Sequence, residues 1–198
     1  MLAGERKTLC VLNCNMKNIQ ILIGGCSSSG KTTVSRKCCQ DFKIRYYSLD
    51  EMRKENGNPI FSMLSIPEIW DKHVSHIVAV IKEIGMALRP IVEDWCAETK
   101  SGLLEGEGIE PKFVHETCKA VNKRAIYILE TDTSRLHSTL FMRSESYRIL
   151  NKSRQNKVIS ANAEYSKYLR SEAVKYNQPC IDSQPWSTLY SRIMERLL

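Results

Sequence analysis

The chain has 198 residues, 42% hydrophobic and 26% charged, with a formal net charge of +7. This length favours one domain with a sizeable core, and the composition is that of a globular protein rather than a disordered or fibrous one. The longest aliphatic stretch, Ile77–Ile81, is far shorter than the roughly 20 apolar residues that cross a bilayer. The N-terminus lacks the pattern of a signal peptide. We therefore expect a cytoplasmic protein with no membrane partner.

The net charge has two interpretations, a nucleic-acid surface or a pocket that binds phosphates. Basic residues are densest between 119 and 154 and form no unbroken basic tail. Nucleic acid is therefore the less favoured partner. A solvated basic surface would explain the same charge, and the sequence gives no indication of the oligomeric state.

Eight cysteines are scattered along the chain without any C-x-x-C pair. This spacing does not match a structural zinc site, so we expect reduced and mostly buried side chains. The cysteines are Cys10, Cys14, Cys26, Cys38, Cys39, Cys96, Cys118 and Cys180.

The N-terminal residues 1–17 show no clear period, and we expect a tail there, with an optional short strand at Leu9–Leu12. The single domain is expected to span 18–198. It begins with the apolar run Ile19–Ile23, which predicts a buried strand, and a helix is expected at 30–42.

A short strand is expected at Ile44–Leu49. The segment 67–88 carries apolar residues at helical spacing and begins with Pro67, which suits the first position of a helix. Pro90 is expected to interrupt this helix, and a second helix is expected at Ile91–Lys100.

Predicted strands and helices continue to alternate after residue 100, and a polar segment at 143–158 lies among them. Strands are expected at Gly102–Leu104, Ala125–Leu129 and Pro179–Ile181, and helices at Ser134–Met142, Ala161–Tyr176 and Trp186–Leu197. Five apolar strands alternating with helices predict an α/β fold, with a five-stranded parallel sheet between two layers of helices. Ligands bind such sheets at the carboxyl ends of the strands.

The stretch "GGCSSSGKTT" fits the pattern G-x-x-x-x-G-K-[ST] from Gly25 to Thr32, and it lies between a predicted strand and a predicted helix. Glycines let successive amides point at phosphate oxygens, and the helix presents its positive end to the same anion. Lys31 suits the β- and γ-phosphates, and the Thr32 hydroxyl suits Mg²⁺. The expected nucleotide contacts are Gly25, Cys26, Ser27, Ser28, Ser29, Gly30, Lys31, Thr32 and Thr33.

A signalling GTPase is disfavoured, because the guanine-reading N-K-x-D pattern is incomplete. The sequences "NKRA" at 122–125 and "NKVI" at 156–159 both lack the aspartate, and no D-x-x-G follows the third strand. A nucleoside triphosphate with Mg²⁺ is therefore the expected cofactor pair. ATP is the favoured nucleotide, and the sequence does not decide between ATP and another triphosphate.

The sequence "YYSLDEMRK" places Asp50 at the end of the second strand, beside the expected phosphate loop. This arrangement resembles the small P-loop kinases, which include shikimate and gluconate kinases, the chloramphenicol phosphotransferase and zeta-toxin group, and relatives of uridine and adenylate kinase. The resemblance implies a P-loop NTPase fold with a mobile lid, and a role for Asp50 in orienting or deprotonating an acceptor hydroxyl. The alternative is that Asp50 caps a helix beginning at Glu51.

A second acidic cluster, "GLLEGEGIEP", ends the third strand. Apolar residues leading into an acid are typical of the carboxylate that assists the magnesium ion, which favours Glu105 in that role. The run from Glu105 to Pro111 is also similar to that of 2-phosphoglycerate kinases and uridine-kinase-like proteins. Glu107 is a candidate for contact with the acceptor. The alternative is a tight turn whose acids are merely solvated.

The same resemblance implies that 143–158 forms the lid. Arg143 and Arg148 are then the expected catalytic arginines, which neutralise charge on the transferred phosphoryl group. Arg135 and Arg154 are further candidates, and at least one of the four is expected to be an ordinary solvated side chain.

The resemblance further implies that the loop before the last helix contacts adenine, through Gln184, Pro185 and Trp186, although Trp186 alternatively anchors that helix. The helices at 52–100 would then shape the acceptor pocket, and Arg53 and Lys54 would favour an anionic acceptor. The favoured function is an ATP-dependent kinase for a hydroxyl of a small metabolite. The alternatives are a kinase for nucleosides, nucleotides or polynucleotide ends, and a non-catalytic nucleotide-binding module.

Overall fold

A computed structural model describes residues 18–117 and 122–197 of the chain. The expected tail and its optional strand therefore lie outside the described residues. Five parallel strands form one sheet in the order β2-β3-β1-β4-β5, which confirms the predicted fold. The strands are β1 (Gln20–Gly25), β2 (Tyr46–Ser48), β3 (Gly102–Glu105), β4 (Lys123–Leu129) and β5 (Cys180–Asp182).

Helices cover both faces of this sheet. They are α1 (Lys31–Phe42), α2 (Leu49–Asn56), α3 (Val74–Glu98), α4 (Pro111–Thr117), α5 (Thr133–Arg143), α6 (Glu145–Arg148), α7 (Lys152–Lys175) and α8 (Trp186–Leu197). Two 3₁₀ turns, Pro59–Ser65 and Pro67–Asp71, join α2 to α3. Within the two described stretches, none of these helices is long and apolar enough to span a membrane.

Alternate residues of β1 divide the core into two clusters, because successive side chains of a strand point to opposite faces. Ile21 and Ile23 pack with α1 and α8 on one face. Leu22 packs on the other face, with the buried sides of α3 and α7. The sheet is thus buried on both sides, as parallel sheets require.

The expected break at Pro90 is wrong, because α3 runs from Val74 to Glu98 through that residue. Pro90 lies on the exposed side of the helix, while Leu88 and Val92 on either side of it are fully buried in the same core. Packing of both halves against one surface therefore offsets the missing backbone hydrogen bond. Pro67 begins a 3₁₀ turn rather than this helix.

Helix α7 begins nine residues earlier than expected, at Lys152 rather than near Ala161. Asn151 caps it, since its side chain accepts a hydrogen bond from the Arg154 amide at 2.9 Å. The expected lid segment, 143–158, therefore consists of the short helix α6 and the first turns of α7 rather than an open loop.

Candidate active site

The loop from Gly25 to Thr32 connects β1 to α1 at the carboxyl edge of the sheet. Two of its glycines have a positive φ, 146° at Gly25 and 93° at Gly30. A Cβ atom would overlap the Ile128 carbonyl oxygen at the first position and the Trp186 ring at the second. Both positions therefore require glycine, and the loop wraps closely against β4 and α8.

Lys31 begins α1 with its side chain turned back into the loop. It is only 8% exposed, and its ammonium donates a hydrogen bond to the Cys26 carbonyl oxygen at 2.6 Å. Among the described residues, no carboxylate lies within ion-pair distance of this ammonium. The charge of Lys31 acts on the nearby Glu107 carboxylate, but a buried cation without a direct ion pair is costly, and a bound anion would reduce that cost.

Glu107 follows β3 and places a carboxylate against the same loop. Its Oε1 accepts a hydrogen bond from the Ser27 amide at 3.2 Å. Burial raises the pKa of Glu107, the charges of Lys31 and Arg53 oppose that shift, and Asp50 adds to it. A loop amide that is suited to a phosphate oxygen is thus held by a carboxylate of the chain itself.

Glu105 ends β3 almost fully buried, at 4% exposure, and meets the first turn of α1. Its Oε1 accepts hydrogen bonds from the Thr32 hydroxyl at 3.0 Å and from the Tyr46 hydroxyl at 2.8 Å. Hydroxyl and carboxylate oxygens are the ligands that Mg²⁺ prefers, in sites that it shares with nucleotide phosphates. Thr32 and Glu105 therefore fit a magnesium ion brought by a triphosphate.

An all-protein metal site of another kind is not seen in the described part of the chain. No group of three or more His, Cys, Asp or Glu side chains there is arranged to hold a metal ion. Cys26, Cys38, Cys39 and Cys180 form no disulfide bond, and burial raises the pKa of Cys26 in the loop from Gly25 to Thr32. Cys10, Cys14 and Cys118 lie outside the described residues.

Asp50 lies in the first turn of α2, directly after β2. This helix begins at Leu49, with Ser48 as its N-terminal cap residue, so a capping role for Asp50 before a helix at Glu51 is wrong. The carboxylate is half exposed, and its Oδ1 lies 3.3 Å from the Arg53 guanidinium one turn later. Asp50 is thus accessible beside Glu107 at the carboxyl edge of the sheet.

Arg143 is the expected lid arginine that lies nearest to the phosphate loop. It is exposed at the end of α5, and its Nη2 lies 3.5 Å from the hydroxyl of Thr33 in α1. Arg148 turns back toward its own helical hairpin and donates to the Phe141 carbonyl at 3.3 Å. No hydrogen bond from Arg148 to the loop occurs among the described residues.

The other two arginines already have acidic partners. Arg154 forms a two-pronged ion pair with Asp71, at 2.8 Å from Nε to Oδ1 and 2.5 Å from Nη2 to Oδ2. This pair ties the start of α7 to the 3₁₀ turns before α3. Arg135 lies 3.5 Å from Asp132, the residue that caps α5.

Trp186, the first residue of α8, packs over the start of α1. Its ring packs against Gly30, and 39% of the residue remains exposed. The side-chain oxygen of Gln184 accepts a hydrogen bond from the Trp186 amide at 3.3 Å. Trp186 therefore does anchor α8 to the loop between β1 and α1, and part of the residue stays exposed.

Solved structures with this architecture are known, although no protein-family model and no curated protein sequence matches the chain. A gluconokinase from Sinorhizobium meliloti superposes with a TM-score of 0.53 at 12% identity, covering 92% of this chain and 93% of its own. A shikimate kinase from Acinetobacter baumannii gives 0.53 at 14% identity, covering 93% and 95%. The chain has the fold of the P-loop small-molecule kinases.

A deoxyadenosine kinase from M. mycoides, solved with bound dATP, superposes equally well. Its TM-score is 0.54 at 14% identity, and the superposition covers 90% of this chain and 99% of that one. A gluconokinase, a shikimate kinase and a deoxyadenosine kinase thus share one architecture with this chain, so the fold alone does not identify an acceptor.

Sequence reasoning missed Tyr46 as part of this site. The strand "YYS" reads as ordinary β-structure, and no spacing marks one tyrosine over the other. The alternation of side chains along a strand is the one signal that could have found it. It places Tyr46 and Glu105 on the same face of the sheet, but only once the register of β2 and β3 is known.

Proposed function

We propose that this protein is an ATP-dependent phosphotransferase that moves the γ-phosphoryl group of ATP to a hydroxyl of a small molecule. The observation that carries the proposal is the buried Lys31 ammonium, which forms no direct ion pair among the described residues and sits beside the Thr32–Glu105 pair. A triphosphate with its metal ion would satisfy both features together.

Each residue then has a definite task. The loop amides and Lys31 bind the β- and γ-phosphates, and Thr32 with Glu105 holds Mg²⁺, which supplies charge neutralisation at those phosphates. Asp50 accepts the proton of the acceptor hydroxyl while the acceptor oxygen attacks the γ-phosphorus and the bond to the β-phosphate oxygen breaks.

The acceptor side is formed by the segment 52–100, and its charge favours an anionic acceptor. Arg53 is mostly buried, with 24% of its side chain exposed, and it lies beside Asp50. Arg143 is the lid residue that we assign to the transferred phosphoryl group, because it already reaches α1 at Thr33. Closure of α6 and the start of α7 over the loop would exclude water from the transfer.

The test is ATP consumption against a panel of hydroxyl acceptors, namely sugar acids, cyclic hydroxy acids and deoxynucleosides, with the Lys31→Ala variant as blank. We expect at least one class to raise turnover of the wild type above that blank. If no class does so, the proposed function is wrong.

Asp50→Asn separates a kinase from a non-catalytic nucleotide-binding module. We expect this variant to bind ATP as the wild type does and to lose roughly 100-fold or more in turnover, since general-base catalysis contributes about 10²–10⁴-fold. Unchanged turnover would remove Asp50 from the mechanism. The Asp41→Asn variant, altered on the exposed side of α1, is the matched control.

A further inference from the structure

Tyr46 connects strand β2 to the acidic end of β3. Its hydroxyl donates to Glu105 Oε1, the same oxygen that accepts the Thr32 hydroxyl. Because Glu105 is 4% exposed, these two protein hydroxyls occupy the place that water takes at a solvated carboxylate. The position of this oxygen is therefore set by two donors from two different elements.

The backbone register fixes this contact. In the parallel pairing of β2 and β3, Tyr46 lies opposite Leu103 and Ser48 opposite Glu105. Alternation along the strands puts Tyr46, Leu103 and Glu105 on one face of the sheet, the face that α1 covers. Tyr46 thus reaches diagonally across the strand pair to the carboxylate beneath Thr32.

Helix α1 also fixes the tyrosine ring. The Arg36 guanidinium lies 4.9 Å from the centre of the Tyr46 ring, an attractive cation–π arrangement. Arg36 follows Thr32 by four residues, so both side chains project from one face of the helix. The element that supplies the Thr32 hydroxyl therefore also orients the second donor to Glu105.

We propose that Tyr46 is a positioning residue that holds Glu105 against Thr32 for the magnesium ion of the bound nucleotide. The inference rests on the proposed function for the identity of the ligand. Outer hydrogen bonds of this kind orient metal-binding carboxylates, and their removal typically costs roughly 10–100-fold in metal affinity. Nucleotide binding without metal depends on the loop amides and Lys31, which Tyr46 does not contact among the described residues.

The experiment compares the dissociation constants of ATP in excess Mg²⁺ and in EDTA by isothermal titration calorimetry. Tyr46→Phe removes the hydroxyl and keeps the ring. The matched control is Tyr47→Phe, because that neighbouring hydroxyl bonds to Arg45 and its ring packs on Trp95 at the other face. We expect Tyr46→Phe to reduce the gain in affinity from Mg²⁺ about 10-fold, with the EDTA value unchanged. Tyr47→Phe should leave the gain unchanged.

A Tyr46→Phe variant with the gain of the wild type overturns the inference, as does one that weakens ATP binding equally with and without metal. The Glu105→Gln background supplies the second test. Tyr46→Phe should change the gain no further there, and a full additional loss would show that Tyr46 does not act through Glu105. These are binding measurements, so the acceptor panel can fail and leave this result standing.

Discussion

Glu107 places a buried carboxylate at the loop where the proposed triphosphate would bind, and burial raises the pKa of that carboxylate. Its carboxylate accepts the Ser27 amide at 3.2 Å, so phosphate entry must displace it or accommodate it. Like charges at close range in a poorly solvated site repel strongly. Under the proposed function, we therefore expect the ionised Glu107 carboxylate to lower the nucleotide affinity of the wild type.

Glu107→Gln is expected to tighten ATP binding about 5–10-fold, which is roughly 1–1.4 kcal/mol. The amide side chain keeps the shape and an acceptor oxygen, and it removes the charge. Calorimetric titration with ATP measures this directly. The control is Glu55→Gln, an equal charge change at an exposed residue at the far end of α2. Equal effects of the two variants would mean that general electrostatics, and not the contact with Ser27, sets the affinity.

At the scale of elements, the junction between the phosphate loop and α1 depends on Gly30. Its φ of 93° is rarely adopted by other residues, and a side chain there would collide with the Trp186 ring. Gly57 at the end of α2 has a similar φ of 71°, and a Cβ atom at that position would meet no described atom within 4 Å. Alanine substitutions at these two glycines therefore separate the cost of backbone strain, which both share, from the cost of the collision with Trp186, which only Gly30→Ala has.

Gly57→Ala should lower the free energy of unfolding by about 1 kcal/mol, the cost of a left-handed alanine. Gly30→Ala should cost about 2–4 kcal/mol, because Trp186 and α8 must also shift. Urea denaturation of both variants measures the difference. Equal costs would contradict the role of Trp186 as the anchor between α8 and the loop.

Some of the strands and helices could be predicted from the sequence, and others could not. The strand β1, the loop and α1 were predictable because glycine spacing, an apolar run and helical spacing all agree over 19–42. Pro90 and the start of α7 were not, since tertiary packing of α3 and a cap by Asn151 decide them. The partnership of Tyr46 with Glu105 needs the register of β2 and β3, which no local pattern contains.

For the whole molecule, strand order determines the candidate site. Placing β3 beside β1 aligns Ile23 with Glu105, so the loop after β1 and the acids after β3 meet at one edge. Asp50 follows β2, the next strand along that edge. The segment 52–100, which we propose lies on the acceptor side, consists by contrast mainly of helices and 3₁₀ turns. The arrangement of these elements depends on tertiary contacts. The fold and the loop between β1 and α1 could therefore be predicted from the sequence, and the arrangement of the segment 52–100 could not.

The overall charge of +7 bears on the remaining alternative, a kinase for polynucleotide ends. Nine basic side chains of the described residues form ion pairs with acidic neighbours, and these pairs are spread over several elements. They are Lys37, Arg53, Arg89, Lys112, Arg135, Arg154, Lys167, Arg170 and Lys175. Ion pairing of this kind lowers the number of free cations that the described residues offer to a nucleic-acid backbone.

We therefore expect weak binding to a fluorescein-labelled single-stranded RNA of about 20 nucleotides, measured by anisotropy between 50 and 200 mM salt. The slope of log affinity against log salt should be no steeper than about −2, because each neutralised phosphate contributes roughly −0.7. A slope of about −4 or steeper with submicromolar affinity would instead indicate a polynucleotide substrate. Lys31→Ala is the control, since loss of steep binding in that variant would place the RNA end in the phosphate loop, and retention would place it on the outer surface.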